Sequence, residues 1–202
     1  MDRDTGSIVA FLFDDFETLD LFGPVEVFGH LSKLYTIRYC SLEGGIVASV
    51  HGVRVETEKM SDVVDDPDLL IVPGGIGTRA CVTDRTVLDV LRSAAERSTW
   101  VLTVCTGSGL LAATGLLDGR SATSNKIAFD WARSQGRGVR WQPKARWVID
   151  GKYYTSSGVS AGIDMALGFV GDIHGINVAE QIAAGIEYIW NHDADNDSFA
   201  VE

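Results

Sequence analysis

The sequence predicts an α/β fold, a three-layer sandwich in which a mostly parallel sheet lies between helices. Short, continuously apolar runs at 8–13 and 69–72 and a mostly apolar run at 100–104 are typical of strands that are covered on both faces. Helical segments separate these runs, and such alternation favours parallel strand pairing. A chain of 202 residues, 46% of them hydrophobic, suits one domain, so we expect residues 1–202 to form a single unit.

The first half of the chain alternates between strand and helix patterns. Pro24 must lie near the start of the first helix or at a kink, because proline lacks the N–H group that a helix interior uses. The predicted elements of this half are a strand at 8–13, a helix at 18–31, a strand at 35–42, short strands at 48–50 and 53–56, a strand at 69–72 and a helix at 84–97.

The second half continues the alternation. A buried strand ends at Cys105, and a helix begins directly afterwards; Gly115 is a typical residue at the end of such a helix. Asp150-Gly151 suits the turn of a hairpin. The predicted elements are a strand at 100–104, helices at 108–114 and 126–134, a hairpin of 146–149 with 153–156, and helices at 161–172 and 178–190.

Composition narrows the classes of function. The net charge of −11 and the absence of a basic face argue against nucleic-acid binding. No apolar run reaches the roughly 18 residues that a membrane span needs, and the first residues lack the pattern of a signal peptide. Cys40, Cys81 and Cys105 have no metal-ligand spacing, and free thiols indicate a reducing compartment. We expect a cytoplasmic protein without a metal, with its acidic tail after Trp190 in solvent.

Cys105 is the first candidate for chemistry because it lies where a buried strand turns into a helix. The start of a helix presents unpaired N–H groups and the positive end of the helix dipole, and both stabilise a thiolate. Gly107 permits the tight turn. The alternative is a buried cysteine that acts as a small hydrophobic residue, and this interpretation is preferred for Cys40 and Cys81.

Two further loops follow buried strands and belong at the same edge of the sheet. Gly74 and Gly75 let backbone N–H groups approach a ligand closely, as in an oxyanion hole, although the pattern also fits a simple turn. After the first strand come two acids, Glu17 and Asp20. The apolar neighbours of Asp20 favour a carboxyl group that keeps its proton or pairs with a neighbour, and helix capping is the alternative for both acids.

In this order, the three loops resemble the ThiJ/PfpI superfamily, whose fold is flavodoxin-like with a cysteine at a strand–helix elbow. The cysteine turn together with the Pro-Gly-Gly loop is specific to the superfamily, and the LDLFGP and CTGS segments resemble the branch that contains isocyanide (isonitrile) hydratase. The matching stretches are FDDFETLDLFGPVEVF at 13–28, DLLIVPGGIGT at 68–78, VCTGSGLLAATGLLDGRSATSNK at 104–126 and SSGVSAGIDMALGFV at 156–170.

The resemblance implies a cofactor-free enzyme that acts on a small molecule. In that branch the cysteine attacks the terminal carbon of an isocyanide, and the product is an N-substituted formamide. Carried over onto this chain, Cys105 is the nucleophile, Asp20 manages protons and water, and Thr106 assists. The relatives are usually homodimers, so we expect a homodimer here.

The resemblance also implies residues that bind the substrate. Gly74, Gly75 and Ile76 would line the pocket with backbone donors, and Asn125 would lie beside it. Elsewhere in the superfamily a glutamate that matches Glu17 hydrogen-bonds the cysteine. Since this chain carries both acids, the sequence leaves open which of them faces the thiol.

Two positions depart from the family pattern. Proteases of the superfamily have histidine directly after the cysteine, where this chain has Thr106. Many members, including isocyanide hydratase, have a histidine in the segment where this chain has Asn125. A Cys–His hydrolase would therefore lack its general base, which argues against protease activity and leaves the substrate pocket uncertain.

Three functions compete at this point, besides a binding domain without chemistry. The first is a hydratase or lyase that uses Cys105 and Asp20 on a small electrophile. The second is a glyoxalase-like enzyme, which uses the same thiolate but needs Glu17 and a histidine, so that Asn125 argues against it. The third is a redox or stress sensor, which needs only a reactive Cys105 beside an acid.

Overall fold

The computed structural model of the protein describes residues 5–63 and 66–200. The strands are β1 (Gly6–Leu12), β2 (Tyr35–Ser41), β3 (Gly45–Ala48), β4 (Arg54–Lys59), β5 (Leu69–Val72), β6 (Trp100–Thr103), β7 (Ser121–Ala122), β8 (Arg140–Trp141), β9 (Trp147–Asp150) and β10 (Tyr153–Ser156). The helices are α1 (Thr18–Gly29), α2 (Thr78–Cys81), α3 (Arg85–Arg97), α4 (Gly107–Ala113), α5 (Phe129–Gln135), α6 (Ala161–His174) and α7 (Ile176–Gly185).

Eight strands form one sheet in the order β3-β4-β2-β1-β5-β6-β10-β9. The inner strands run parallel to one another, and only the edge strands β3 and β9 pair antiparallel with their neighbours. Strands β7 and β8 form a separate short parallel pair. The mostly parallel sheet agrees with the prediction from alternating strands and helices.

Strands β1, β5 and β6 lie side by side in the middle of this sheet. All four residues of β5 and the last five of β1 are buried, which explains why these strands are continuously apolar in sequence. Because the strands are parallel, their carboxyl ends meet at one edge of the sheet. The loops that follow Leu12, Val72 and Thr103 are therefore neighbours.

The helices pack in two groups that cover the two faces of the sheet. Helices α1, α6 and α7 pack together, and α4 packs with α2, α3 and α5. Helix α3 illustrates the amphipathic pattern, since Val87 and Leu91 are buried on one side. Its first turn is capped by Asp84, whose carboxylate accepts the Thr86 N–H at 2.8 Å.

Some element boundaries differ from the predictions, and the differences lie in short segments. Strand β3 covers 45–48 rather than 48–50, because residues 49–52 form the turn before β4. Helix α7 ends at Gly185 instead of continuing to Trp190. Helix α2 and strands β7 and β8 are absent from the predictions, since elements of two to four residues are too short for a periodic pattern.

The chain after α7 packs against the start of β9. The N–H groups of Arg146 and Trp147 both donate to the Ala194 carbonyl, at 2.7 and 3.2 Å. The buried Arg146 side chain donates from Nε to Asp164 Oδ2 at 2.7 Å and lies 3.6 Å from Asp197 Oδ1. The expectation of a solvated acidic tail is therefore wrong at Asp197, because this carboxylate pairs with a buried cation.

Within the described residues, no helix is both long enough and apolar enough to cross a membrane. Residues 1–4, 64–65 and 201–202 lie outside the described residues. These residues include both ends of the predicted domain. They also include the first four residues, which belong to the N-terminal stretch that lacks a signal-peptide pattern. A single domain over 1–202 therefore stays a prediction.

Candidate active site

Cys105 occupies the sharp turn between β6 and α4, where its backbone φ is 58°. A positive φ is uncommon for a residue with a Cβ, and it persists where surrounding bonds hold it. The Cys105 N–H donates to the Ser157 carbonyl at 3.0 Å. Its carbonyl accepts the hydroxyls of Ser108 at 3.0 Å and Ser124 at 2.9 Å. These bonds fix the elbow between strand and helix.

The carboxyl group beside the thiol belongs to Asp20, which is fully buried. Its Oδ2 accepts the Gly74 N–H at 2.9 Å, and its Oδ1 forms no hydrogen bond of ordinary geometry with the described residues. Burial raises the pKa of Asp20 to about 7, and the charge of Glu17 acts in the same direction. The Gly74 N–H, and contacts with the Cys105 thiol and the Val159 N–H, limit this rise. Asp20 can therefore change its protonation state near neutral pH.

The Cys105 thiol is only 6% exposed. Burial raises its pKa, and the charge of Asp20 raises it further. The N–H and hydroxyl of Thr106 lower the pKa without reversing the rise. The expectation that the start of α4 holds an ionised thiolate is therefore wrong for the free protein. The loss of hydration disfavours the thiolate more than the dipole of this seven-residue helix favours it. Cys105 rests as a thiol beside a base that can accept its proton.

Glu17 lies at the rim of the site rather than beside the thiol. Its side chain is 25% exposed, and its Oε1 lies 3.6 Å from Nδ1 of His51. The same ring nitrogen is 2.9 Å from Thr18 Oγ1. Of the two acids, Asp20 is the one that contacts Cys105, and Glu17 acts on Asp20 through its charge. His51 was not predicted at the rim, because it lies in a turn far from both acids in sequence.

The Pro-Gly-Gly loop binds other parts of the site through its own donors. The Gly74 N–H donates to Asp20, and the Gly75 N–H donates to Thr106 Oγ1 at 3.0 Å. Both groups are thus already engaged, in contrast to the expectation that they face a ligand. Ile76 differs, since its side chain is 60% exposed.

Arg79, on α2, reaches the same loop and was missed by sequence reasoning. Its Nη1 donates to Thr78 Oγ1 at 2.9 Å and to the Gly75 carbonyl at 3.3 Å. The guanidinium carbon lies 3.9 Å from the centroid of the Trp131 ring. A charge on Cys105 acts on this cation and raises its pKa, while burial lowers it. A four-residue helix gives no periodic signal, so nothing in the sequence distinguishes Arg79 from a solvated arginine.

Asn125 lies close to the elbow but is held by local bonds. Its Oδ1 accepts the Ala128 N–H at 2.9 Å. A Cβ added to Gly158 would lie 2.3 Å from Asn125 Nδ2, so the amide packs directly on that backbone. The preceding Ser124 bonds the Cys105 carbonyl. Asn125 therefore belongs to the wall of the elbow.

A separate cleft of about 1100 Å³ opens between α5 and the segment before β9, lined by Lys126, Phe129, Arg133, Arg137, Trp141 and Lys144 among others. Cys105 and Asp20 do not line it, so this cleft is separate from the thiol. In the described part of the chain, no group of three or more His, Cys, Asp or Glu side chains is arranged to hold a metal ion.

Comparison with known proteins agrees with this geometry. The profile of the DJ-1/PfpI family matches residues 6–171. The chain belongs to the DJ-1/PfpI family. The isonitrile hydratase of Pseudomonas putida is 32% identical to it over 179 residues, which are 88% of this chain and 76% of that protein. The resemblance predicted from the sequence motifs is thereby confirmed.

Two further relatives show the range of this DJ-1/PfpI family. A solved ThiJ/PfpI family protein from Pseudomonas syringae has a TM-score of 0.83 at 28% identity, and covers 94% of this chain and 77% of that one. The predicted flavodoxin-like fold is thus confirmed. The HTH-type transcriptional regulator GbdR of Pseudomonas aeruginosa is 32% identical over 187 residues, which are 90% of this chain and 50% of that regulator. Membership of the family alone therefore does not fix a function.

We expect Gly74→Ala to disrupt this DJ-1/PfpI site. The added Cβ would lie 2.5 Å from the Thr106 nitrogen and 2.8 Å from Asp20 Oδ2, so one of these groups must move. Overpacking of this kind costs about 1–3 kcal/mol of unfolding free energy, which urea denaturation measures. Gly29→Ala is the control, because a Cβ there meets nothing within 4 Å. A Gly74→Ala protein as stable as the Gly29→Ala protein would contradict this packing.

Proposed function

We propose that this DJ-1/PfpI protein is a cofactor-free hydratase of the lyase class that adds water to a small electrophile through Cys105. An isocyanide is the substrate for testing, and an N-substituted formamide is the product. The observation that carries the proposal is the buried pair of Cys105 and Asp20, since a thiol nucleophile needs a base beside it. The similarity to the isonitrile hydratase of Pseudomonas putida supports the choice of substrate.

In the first step, Asp20 accepts the thiol proton while the Cys105 sulfur bonds to the terminal isocyanide carbon. Oδ1 of Asp20 is the oxygen available for that proton, because Oδ2 is held by the Gly74 N–H. The proton then passes to the same carbon, which gives a thioimidate with a C=N double bond. A pKa near 7 suits Asp20 to accept a proton and to return it.

In the second step, water adds to the thioimidate carbon with Asp20 as the base. The nitrogen gains a proton, and the tetrahedral adduct carries one hydroxyl and one sulfur substituent. Its collapse breaks the C–S bond, forms the formamide carbonyl and returns the hydroxyl proton to the Cys105 sulfur. The N–H of Thr106 favours negative charge on that sulfur, so it assists the departure of the sulfur.

The other functions left open by the sequence have less support. A redox sensor of the expected kind needs an accessible thiolate, whereas Cys105 is buried and its pKa is raised. A glyoxalase-like enzyme needs a histidine at the thiol, and His51 instead lies against Glu17 and Thr18. The homodimer, the cytoplasmic location and the absence of a cofactor stay predictions.

An isocyanide hydration assay tests the proposal. We expect the wild-type protein to produce the formamide, and Cys105→Ala to reduce the rate to that of the uncatalysed reaction. Asp20→Asn should lose about 100-fold or more in rate, because an amide cannot accept the thiol proton. Cys40→Ala, which removes a buried thiol of β2, is the control and should keep the wild-type rate. A wild-type rate equal to that of Cys105→Ala would refute the proposal.

The pH dependence of kcat/KM gives a second test. Asp20 must be ionised to act as the base, and its pKa is raised from 3.8 to about 7. The rate should therefore fall as the pH drops below about 7, where an ordinary aspartate would still be ionised. A rate that stays constant from about pH 8 down to about pH 5 would contradict the role of Asp20 as the base.

A further inference from the structure

Arg79 presents one edge of its guanidinium group without a partner. Both Nη1 hydrogens are used, one by Thr78 Oγ1 and one by the Gly75 carbonyl. The guanidinium carbon lies over the Trp131 ring, 3.9 Å from its centroid. The remaining edge, formed by Nε and Nη2, makes no hydrogen bond with the residues described. This edge carries two parallel N–H donors.

No carboxylate in the described part of the chain pairs with this cation. Its polar contacts there are the hydroxyl and the carbonyl that Nη1 binds. The chain holds 28 Asp and Glu against 17 Lys and Arg, so a half-buried arginine without an acidic partner is unexpected. A partly desolvated cation is stabilised by a bound anion.

Arg79 is also joined to the elbow through a shared acceptor. The Gly75 carbonyl accepts from Nη1 of Arg79 at 3.3 Å and from Oγ1 of Thr106 at 3.2 Å. Thr106 directly follows Cys105 and contacts its sulfur. The free guanidinium edge and the nucleophile therefore belong to one site.

We propose that the Nε–Nη2 edge of Arg79 binds the carboxylate of the substrate, whose electrophilic carbon is then held at Cys105. The hydration step itself rests on the function proposed above, whereas the recognition of the carboxylate does not. A planar carboxylate matches two parallel N–H donors, and such bidentate bonds are strong and directional. The preferred substrates are thus small electrophiles that carry a carboxylate.

Alkylation of Cys105 tests this recognition without isocyanide chemistry. Iodoacetate and iodoacetamide are similar in size, and each alkylates the Cys105 sulfur through its methylene carbon with loss of iodide. Only iodoacetate carries a carboxylate. Mass spectrometry locates the product at Cys105 and separates it from Cys40 and Cys81. The quantity measured is the iodoacetate rate divided by the iodoacetamide rate, so that a general change in access cancels.

We expect Arg79→Met to lower this rate ratio by roughly 10- to 100-fold, the range of charge-assisted hydrogen bonds. Arg133→Met is the matched control, because it removes the same charge from an exposed arginine on α5 and should keep the ratio within about twofold. An unchanged ratio in a folded Arg79→Met protein would overturn the proposal. So would a wild-type Cys105 that neither reagent reaches.

Arg79→Lys keeps the proposal testable if the methionine variant does not fold. Lysine retains the charge but lacks two parallel donors, so we expect the ratio to fall by about threefold or more. A lysine variant with the wild-type ratio would overturn bidentate binding.

Two isocyanides, isocyanoacetate and its methyl ester, distinguish a failure of this proposal from a failure of the proposed function. We expect isocyanoacetate to have a KM roughly 10- to 100-fold lower than its methyl ester in the wild type, and this preference to disappear in Arg79→Met. Hydration of neither compound would refute the proposed function, while a shift in the alkylation ratio would still support carboxylate recognition. Hydration of both compounds with equal KM would overturn carboxylate recognition alone.

Discussion

The carboxyl group of Asp20 and the thiol of Cys105 lie together almost without solvent. Burial makes ionisation of both groups less favourable, the charge of Asp20 opposes ionisation of the thiol further, and the thiol contact favours the ionised carboxylate. Groups that are coupled in this way gain and lose protons as a pair. The Gly74 N–H is the partner that makes a buried carboxylate tolerable at this position. Because the pair holds a proton that can move between sulfur and oxygen, it is suited to add a nucleophile and a proton to one substrate carbon.

This pair depends on three loops whose backbones approach closely at glycines. A Cβ on Gly75 would lie 2.4 Å from the Asp15 carbonyl, and a Cβ on Gly107 would lie 2.4 Å from the Val72 carbonyl. The carboxyl ends of β1, β5 and β6 bring the loops to one edge of the sheet, and the glycines allow the final approach. The catalytic groups are thus positioned by backbone geometry, and their side chains need only one or two bonds each.

The sequence predicted the central strands and the elbow well because their signal is strong. Continuous apolar runs correspond to strands buried on both faces, and the order of Asp20, the glycine loop and Cys105 along the chain indicated one site. The sequence could not predict the ionisation of Cys105, since the expected helix dipole competes with a burial that only the folded chain defines. Arg79 was missed because its importance comes from contacts with Gly75 and Trp131, which lie on other elements.

The most direct test is a titration of the Cys105 thiolate by its ultraviolet absorbance, with the Cys105→Ala spectrum subtracted to remove other contributions. We expect no thiolate at neutral pH in the wild type. We also expect a lower thiol pKa in Asp20→Asn, because the amide removes a nearby negative charge. A thiolate at neutral pH in the wild type, or a higher thiol pKa in Asp20→Asn, would contradict the coupling of these two groups.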